Sequence, residues 1–226
     1  MSSLPVPESS KRAVGRPAGT RNPDHDVKKR ALARKLLAAV VASGGRPSLH
    51  DLARTAGTSI PTINHYFGER SSAIAEALRT VEADAVEYLN EVATPSDEKL
   101  QASLQTVAQN FARAWTDFGV GALFTAGMTA GLADPVAGPG YLDGVLEPTL
   151  QAIETRLRIH AERGEMDIAA TDELAIRIAA LAFISPVILA LMHQNDLSGD
   201  RCRPLDMDAF IRRHVERFVR AYDMVE

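Results

Sequence analysis

The 226-residue sequence predicts an all-α protein in two parts, and three observations carry that prediction. Beyond the first twenty or so residues, apolar side chains recur at helical spacing, with no strand-like alternation and no internal repeat. Between residues 48 and 67, two short helical stretches each begin on a capping serine and meet at Gly57. Charge is divided between the parts. Residues 1–70 carry 12 Lys+Arg against 5 Asp+Glu, and residues 71–226 carry 13 against 24, so the whole-chain charge of −4 conceals a basic end and an acidic body.

Residues 1–22 are rich in Ser, Pro, Gly and basic groups and are expected to be a flexible basic arm. Within it, Val14-Gly15-Arg16-Pro17 resembles short hooks that place an arginine in an A·T-rich minor groove, where a narrow groove deepens the negative potential. An electrostatic tether made by Lys11, Arg12, Arg16 and Arg21 explains the same residues. Asn22-Pro23 reads as the cap and first position of a helix reaching Ala42. Its buried face holds Leu32, Leu36, Ala39 and Val40, its other face carries Lys28, Lys29, Arg30, Arg34 and Lys35, and Gly44-Gly45 stops it.

Ser48 caps the next helix, which buries Leu49, Leu52, Ala53 and Ala56 and ends at Gly57. Ser59 caps a third, with Pro61 near its start, where a missing amide hydrogen costs little, and with Ile63, Tyr66 and Phe67 inward. Small Ala53 lets the two helices cross backbone to backbone. After Gly68-Glu69-Arg70-Ser71, one long helical pattern runs through Ile74, Leu78, Val81, Ala85 and Leu89 and is expected to link the two parts.

The body, residues 71–226, reads as further amphipathic helices. Asp97 to Trp115 aligns Leu100, Leu104, Ala108, Phe111 and Trp115. Asp134 to Gly140 is expected to break the pattern, with Gly138-Pro139-Gly140 as a turn, before a helix from about Pro148 to Gly164. Thr171-Asp172-Glu173 starts another, and Asp206 to Tyr222 is the last. Two uncharged runs, Phe118 to Ala133 and Ile178 to Asn195, are marginal in length for a membrane span and are read as buried helices. The chain lacks an apolar signal core, and its single cysteine, Cys202, forms no internal disulfide. Both features imply a reduced, cytoplasmic setting without a membrane partner.

Two short helices at a tight turn, behind a basic helix, suit docking into a DNA major groove. Thr62, Asn64 and His65 lie on the exposed side opposite Ile63 and Phe67 and are the candidates for base edges. Asn64 leads, because its amide can pair with adenine. Arg46, Ser48, Thr58, Tyr66 and Arg70 are the candidates for phosphate. No serine elbow, zinc-ligand pair or glycine-rich phosphate loop stands out, so neither an enzyme nor a cofactor is expected.

The segment from about Asp26 to Leu78 resembles the DNA-binding domain of the tetracycline-repressor (TetR) family of transcription regulators. Leu52-Ala53 followed by Ala56-Gly57-Thr58-Ser59 is similar to the family's second helix and turn. His65-Tyr66-Phe67 and then Arg70 is similar to the end of its recognition helix. Asn64, Pro61 and Arg70 stand where the family commonly has Tyr, a small residue and Lys. In the body, Ala161-Glu162-Arg163-Gly164-Glu165 with Asp172 is similar to a stretch found in many such regulators. The resemblance implies an N-terminal three-helix helix-turn-helix domain, residues 23–70, and a C-terminal helical domain, residues 71–226, that binds an effector and dimerises. It implies a repressor that binds a palindromic operator in double-stranded DNA as a homodimer and is released by a small hydrophobic or amphipathic molecule. Thr171 to His193 and Asp206 to Tyr222 are the candidate dimer helices. Trp115, Phe118, Phe124, Met128, Tyr141 and Met192 are the candidate effector residues. A regulator without an inducer, and a helical binding or enzymatic protein whose helix-turn-helix is only structural, remain the alternatives.

Overall fold

In a computed structural model, the described residues are 23–222, so the arm and Arg16 lie outside them. Among the described residues there are twelve α-helices and no strand. The first three are α1 (Pro23–Ala42), α2 (Leu49–Ala56) and α3 (Ile60–Phe67). The linking helix α4 (Arg70–Asp84) and α5 (Val86–Ala93) follow, then α6 (Leu100–Asp117) and α7 (Val120–Ala133). A continuous run comprises α8 (Ala137–Tyr141), a π-helical turn at Leu142–Leu146, and α9 (Glu147–Glu162). Next comes α10 (Glu173–Leu191) with a π-helical turn at Met192–Asp196, and then α11 (Gly199–Cys202) and α12 (Met207–Tyr222).

The first three helices enclose a small core in which Leu36, Leu52 and Ile63 are fully buried. Each such side chain contributes about 1.5 to 3 kcal/mol relative to exposure. Ile74 and Leu78 carry this core into α4, and the body closes around Leu104, Leu157, Ile176 and Phe183. Helix α4 lies directly on the α8–π segment, because Gly140 and Gly144 bring the backbone against Ala75 and Leu78. A Cβ at Gly140 would stand 2.5 Å from the Ala75 Cα.

Several boundaries differ from those the sequence predicts. The single helix expected through Leu89 is broken at Ala85 (φ −101, ψ 7), whose amide bonds back to Val81 and Glu82. The apolar stripe continues across the break, but α4 packs on α8 while α5 packs on α9, so each takes its direction from a different partner. Gly138-Pro139-Gly140 is helical rather than a turn, since Pro139 falls in the first turn of α8, where no amide hydrogen is needed. The cap of α10 is Asp172, whose carboxylate accepts from the Ala175 amide at 3.0 Å, not the Thr171 hydroxyl.

The two apolar runs are buried on one face only. Phe118 and Leu132 are exposed on the first, and Leu174, Ile178, Leu181 and Leu189 form an exposed stripe along α10. The segment Glu173–Asp196 is the one helix among the described residues long and apolar enough to cross a membrane, and its inner face packs on α6, α9 and α12.

Candidate nucleic-acid interface

Caps hold the α2–turn–α3 unit rigid. The Ser48 hydroxyl accepts from the Asp51 amide at 3.1 Å, while the Ser48 amide donates to Asp51 Oδ2 at 3.0 Å, completing a reciprocal cap. The Ser48 hydroxyl also donates to that oxygen at 2.6 Å, and these bonds to Ser48 hold the Asp51 carboxyl below its ordinary pKa. Gly57 takes the left-handed conformation (φ 64), letting the Thr58 amide reach the Ala53 carbonyl at 2.9 Å. Ser59 then accepts from the Thr62 amide at 3.2 Å and shares a 2.8 Å hydroxyl contact with Thr62.

This frame places Asn64 and His65 on the open side of α3, opposite buried Ile63 and Phe67. The Ser48 hydroxyl is engaged in its own cap, and the Thr62 hydroxyl is engaged with that of Ser59, the cap of α3. Thr58 is half-buried at the turn, and Arg46 is exposed beside α2. Tyr66 is half-buried against His25 of α1, with ring centroids 4.9 Å apart, and against His65 at 5.1 Å. Arg70 turns inward: its Nη1 donates to the Pro47 carbonyl at 3.2 Å, and its Nη2 lies 3.9 Å from Asp134. Of the phosphate candidates, Arg46 is exposed, Thr58 is half-buried, and Ser48, Tyr66 and Arg70 make contacts within the protein.

Three contacts seat this unit on α7. Ser71 donates to Asp134, just past the end of α7, and Arg70 faces the same carboxylate. The Ser71 hydrogen bond, with amides of Val136 and Ala137, holds the Asp134 carboxyl low. Gly45 (φ 88) lies so close to the Ala126 carbonyl of α7 that no Cβ fits.

In the body, a cleft of about 600 Å³ opens between α5, α6 and α7, walled by Tyr88, Glu91, Asn110, Arg113, Asp117 and Phe118. An apolar recess of about 60 Å³ adjoins it, lined in part by Leu89, Phe111, Leu123 and Phe124, and shares Ala85, Tyr88 and Val120 with the cleft. Of the effector candidates named from sequence, Phe118 lines the cleft and Phe124 the recess. Trp115 and Tyr141 are core residues, with Trp115 donating to Asp196 at 3.1 Å, and Met128 and Met192 pack against the core. The six do not converge on one cavity.

A buried polar chain beneath the cleft includes Glu165, from the Ala161-Glu162-Arg163-Gly164-Glu165 stretch, but Arg156 and Ser103 were not singled out from sequence. Arg156 on α9 donates to the carbonyls of Val92 (2.5 Å), Glu91 (2.7 Å) and Thr94 (3.1 Å), capping α5, and to the Ser103 hydroxyl at 2.5 Å. His160 Nε2 lies 2.9 Å from Ser103 Oγ, and its Nδ1 lies 2.9 Å from Glu165. Glu165 also accepts from the Leu100 amide at 2.9 Å. The hydrogens fit a neutral imidazole: the Ser103 hydroxyl donates to Nε2, and Nδ1–H donates to the carboxylate. Burial pulls the His160 pKa down against the pull of Glu165. The available signal was that Arg156 and His160 fall on the same stripe as Ile153 and Leu157, where solvent-facing groups do not belong.

No protein-family model matches the sequence, and no curated protein matches it. Solved structures do. A candidate TetR-family transcriptional regulator from Mesorhizobium loti superposes with a TM-score of 0.68 at 17% identity, over 90% of this chain and 100% of that one. GusR of Salmonella enterica gives 0.61 at 16% identity, over 89% and 98%. A TetR-family regulator from Streptomyces coelicolor gives 0.54 at 19% identity, over 84% and 80%. The chain therefore has the all-α fold of TetR-family regulators.

Proposed function

We propose that this chain is a transcriptional regulator that binds a palindromic operator as a homodimer and is released by a small amphipathic molecule. The observation that carries the reading is α3 itself: a short, doubly braced helix with Asn64 and His65 open to solvent, in a chain with the fold of known regulators. One such helix contacts too few base pairs for useful selectivity, and a two-fold dimer reads two half-sites roughly 34 Å apart.

The exposed stripe of Leu174, Ile178, Leu181 and Leu189 supports α10 as the dimer surface, since contiguous apolar area on a helix costs solubility unless covered. Beside it, a groove of about 320 Å³ between α10 and α12, lined in part by Pro186, Phe210 and His214, would take a partner's side chains. The cleft beside α7 supports the release step, because α7 also carries the seat of the DNA-reading unit.

Selection of bound duplexes from a random pool tests the reading. It is expected to return an inverted repeat bound by two chains, with affinity falling steeply as salt rises. Recovery of no preferred duplex, at any ionic strength, overturns it.

A further inference from the structure

The Tyr88 hydroxyl is shielded from solvent yet has no hydrogen-bond partner among the described residues, although the side chain forms part of both the cleft and the recess. Leaving a shielded hydroxyl unpaired is costly, and such groups in folded chains are almost always satisfied. Its pKa is pushed up to about 12 by burial and by neighbouring Glu91, so it keeps its proton and is available as a donor. A ligand seated against Tyr88 that brings an acceptor to this point would satisfy the hydroxyl.

The surroundings restrict that acceptor. The recess is walled almost wholly by apolar side chains, and the Thr149 hydroxyl on its wall is already spent on the Val145 carbonyl at 2.9 Å. Nothing there balances a charge, and an uncompensated charge in such a site is strongly disfavoured. At the mouth, Glu91 and Asp117 outnumber Arg113, which repels carboxylates. The cleft volume, about 600 Å³, lies in the range of small-molecule sites.

The geometry points to an uncharged, carbonyl-bearing apolar molecule as the ligand of this cleft, its oxygen accepting from Tyr88 and its hydrocarbon end entering the recess. This deepens the effector step of the proposed function, but binding is measured on the protein alone and so stands or falls apart from DNA recognition.

Three matched probes test it: 4-phenylbutan-2-one, butylbenzene, which lacks the acceptor, and 3-phenylpropanoate, which replaces the ketone methyl with a charged oxygen. Binding is read by calorimetry and by the fluorescence of Trp115, the single tryptophan, whose ring centroid lies 5.4 Å from that of Phe124 on the recess wall. The ketone is expected to bind, and the carboxylate about tenfold more weakly or not at all. Tyr88→Phe is expected to weaken the ketone about tenfold while leaving butylbenzene unchanged. The same variant should leave the thermal stability of the free protein unchanged or higher, since it removes an orphaned group. That result separates ligand recognition from a structural role. No ketone binding at millimolar concentration, ketone affinity unaltered by Tyr88→Phe, or tighter binding of the carboxylate each overturns the assignment.

Discussion

Ser71, in the first turn of α4, donates its hydroxyl hydrogen to Asp134, the residue that follows α7. The helix that walls the cleft through Val120 and the recess through Leu123 and Phe124 is thus tied directly to the helix that follows the α2–turn–α3 unit. Under the proposed release step, movement of α7 has a short route to α3. Asp134→Asn keeps the side-chain shape but weakens the bond to Ser71 and the attraction to Arg70. It is expected to lower stability by about 1 kcal/mol or less, since the pair lies near the surface. In a DNA-binding assay, the variant should show a several-fold smaller change in affinity on adding ligand. An unaltered ligand response would show that coupling travels elsewhere.

Gly45 combines a left-handed backbone with backbone contact to α7. Gly45→Ala should therefore destabilise the chain by about 1 to 3 kcal/mol from backbone strain alone, with the Ala126 clash adding to it. Denaturant unfolding measures the loss. Gly57→Ala, which meets nothing within 4 Å among the described residues, supplies the strain-only comparison and should cost less.

On α3, Asn64→Ala removes an exposed amide and no core contact. Fold and stability should be unchanged, while discrimination at one operator base pair falls by about 1 to 3 kcal/mol. Arg46→Ala should instead weaken all duplexes alike and reduce the salt slope. Affinities against single-base operator variants distinguish the two patterns.

Acid should loosen the body through His160. Desolvation sets its folded pKa below the ordinary 6.5, so the unfolded chain takes up the proton first. The stabilisation is fully present above pH 6.5 and is lost as pH falls through the folded value. Glu165 acts in the same direction at lower pH: burial raises its pKa, but hydrogen bonds from His160, Lys99 and Leu100 overcome that and hold it down. The urea midpoint of the parent should drop between pH 7 and pH 5, and the drop should be smaller in His160→Gln. Equal pH dependence in parent and variant would remove His160 from this role.

Arg156 makes four hydrogen bonds that close α5 onto α6 and α9. Arg156→Met fills similar volume but leaves buried carbonyls unpaired, and is expected to cost roughly 3 kcal/mol or more in chemical denaturation. A loss well under that would mean that water satisfies the α5 terminus.

What could be read from the chain alone was local. The caps at Ser48 and Ser59, the stop at Gly57 and the buried stripe of α1 depend on residues within four positions of one another, so their chemistry is written in order along the sequence. The outward face of α3, with Asn64 and His65, followed from the same periodicity. The cleft was not legible, because its walls come from α5, α6 and α7, and nothing in the spacing of Trp115, Tyr141 or Met192 distinguishes a core position from a cavity wall. Neither was the bond from Arg156 to Val92, 64 residues away, nor the break at Ala85, where two helices with one continuous stripe meet different neighbours. Periodicity states which face of a helix is buried, whereas packing decides against what, and cavities, long-range hydrogen bonds and helix directions all belong to that second decision.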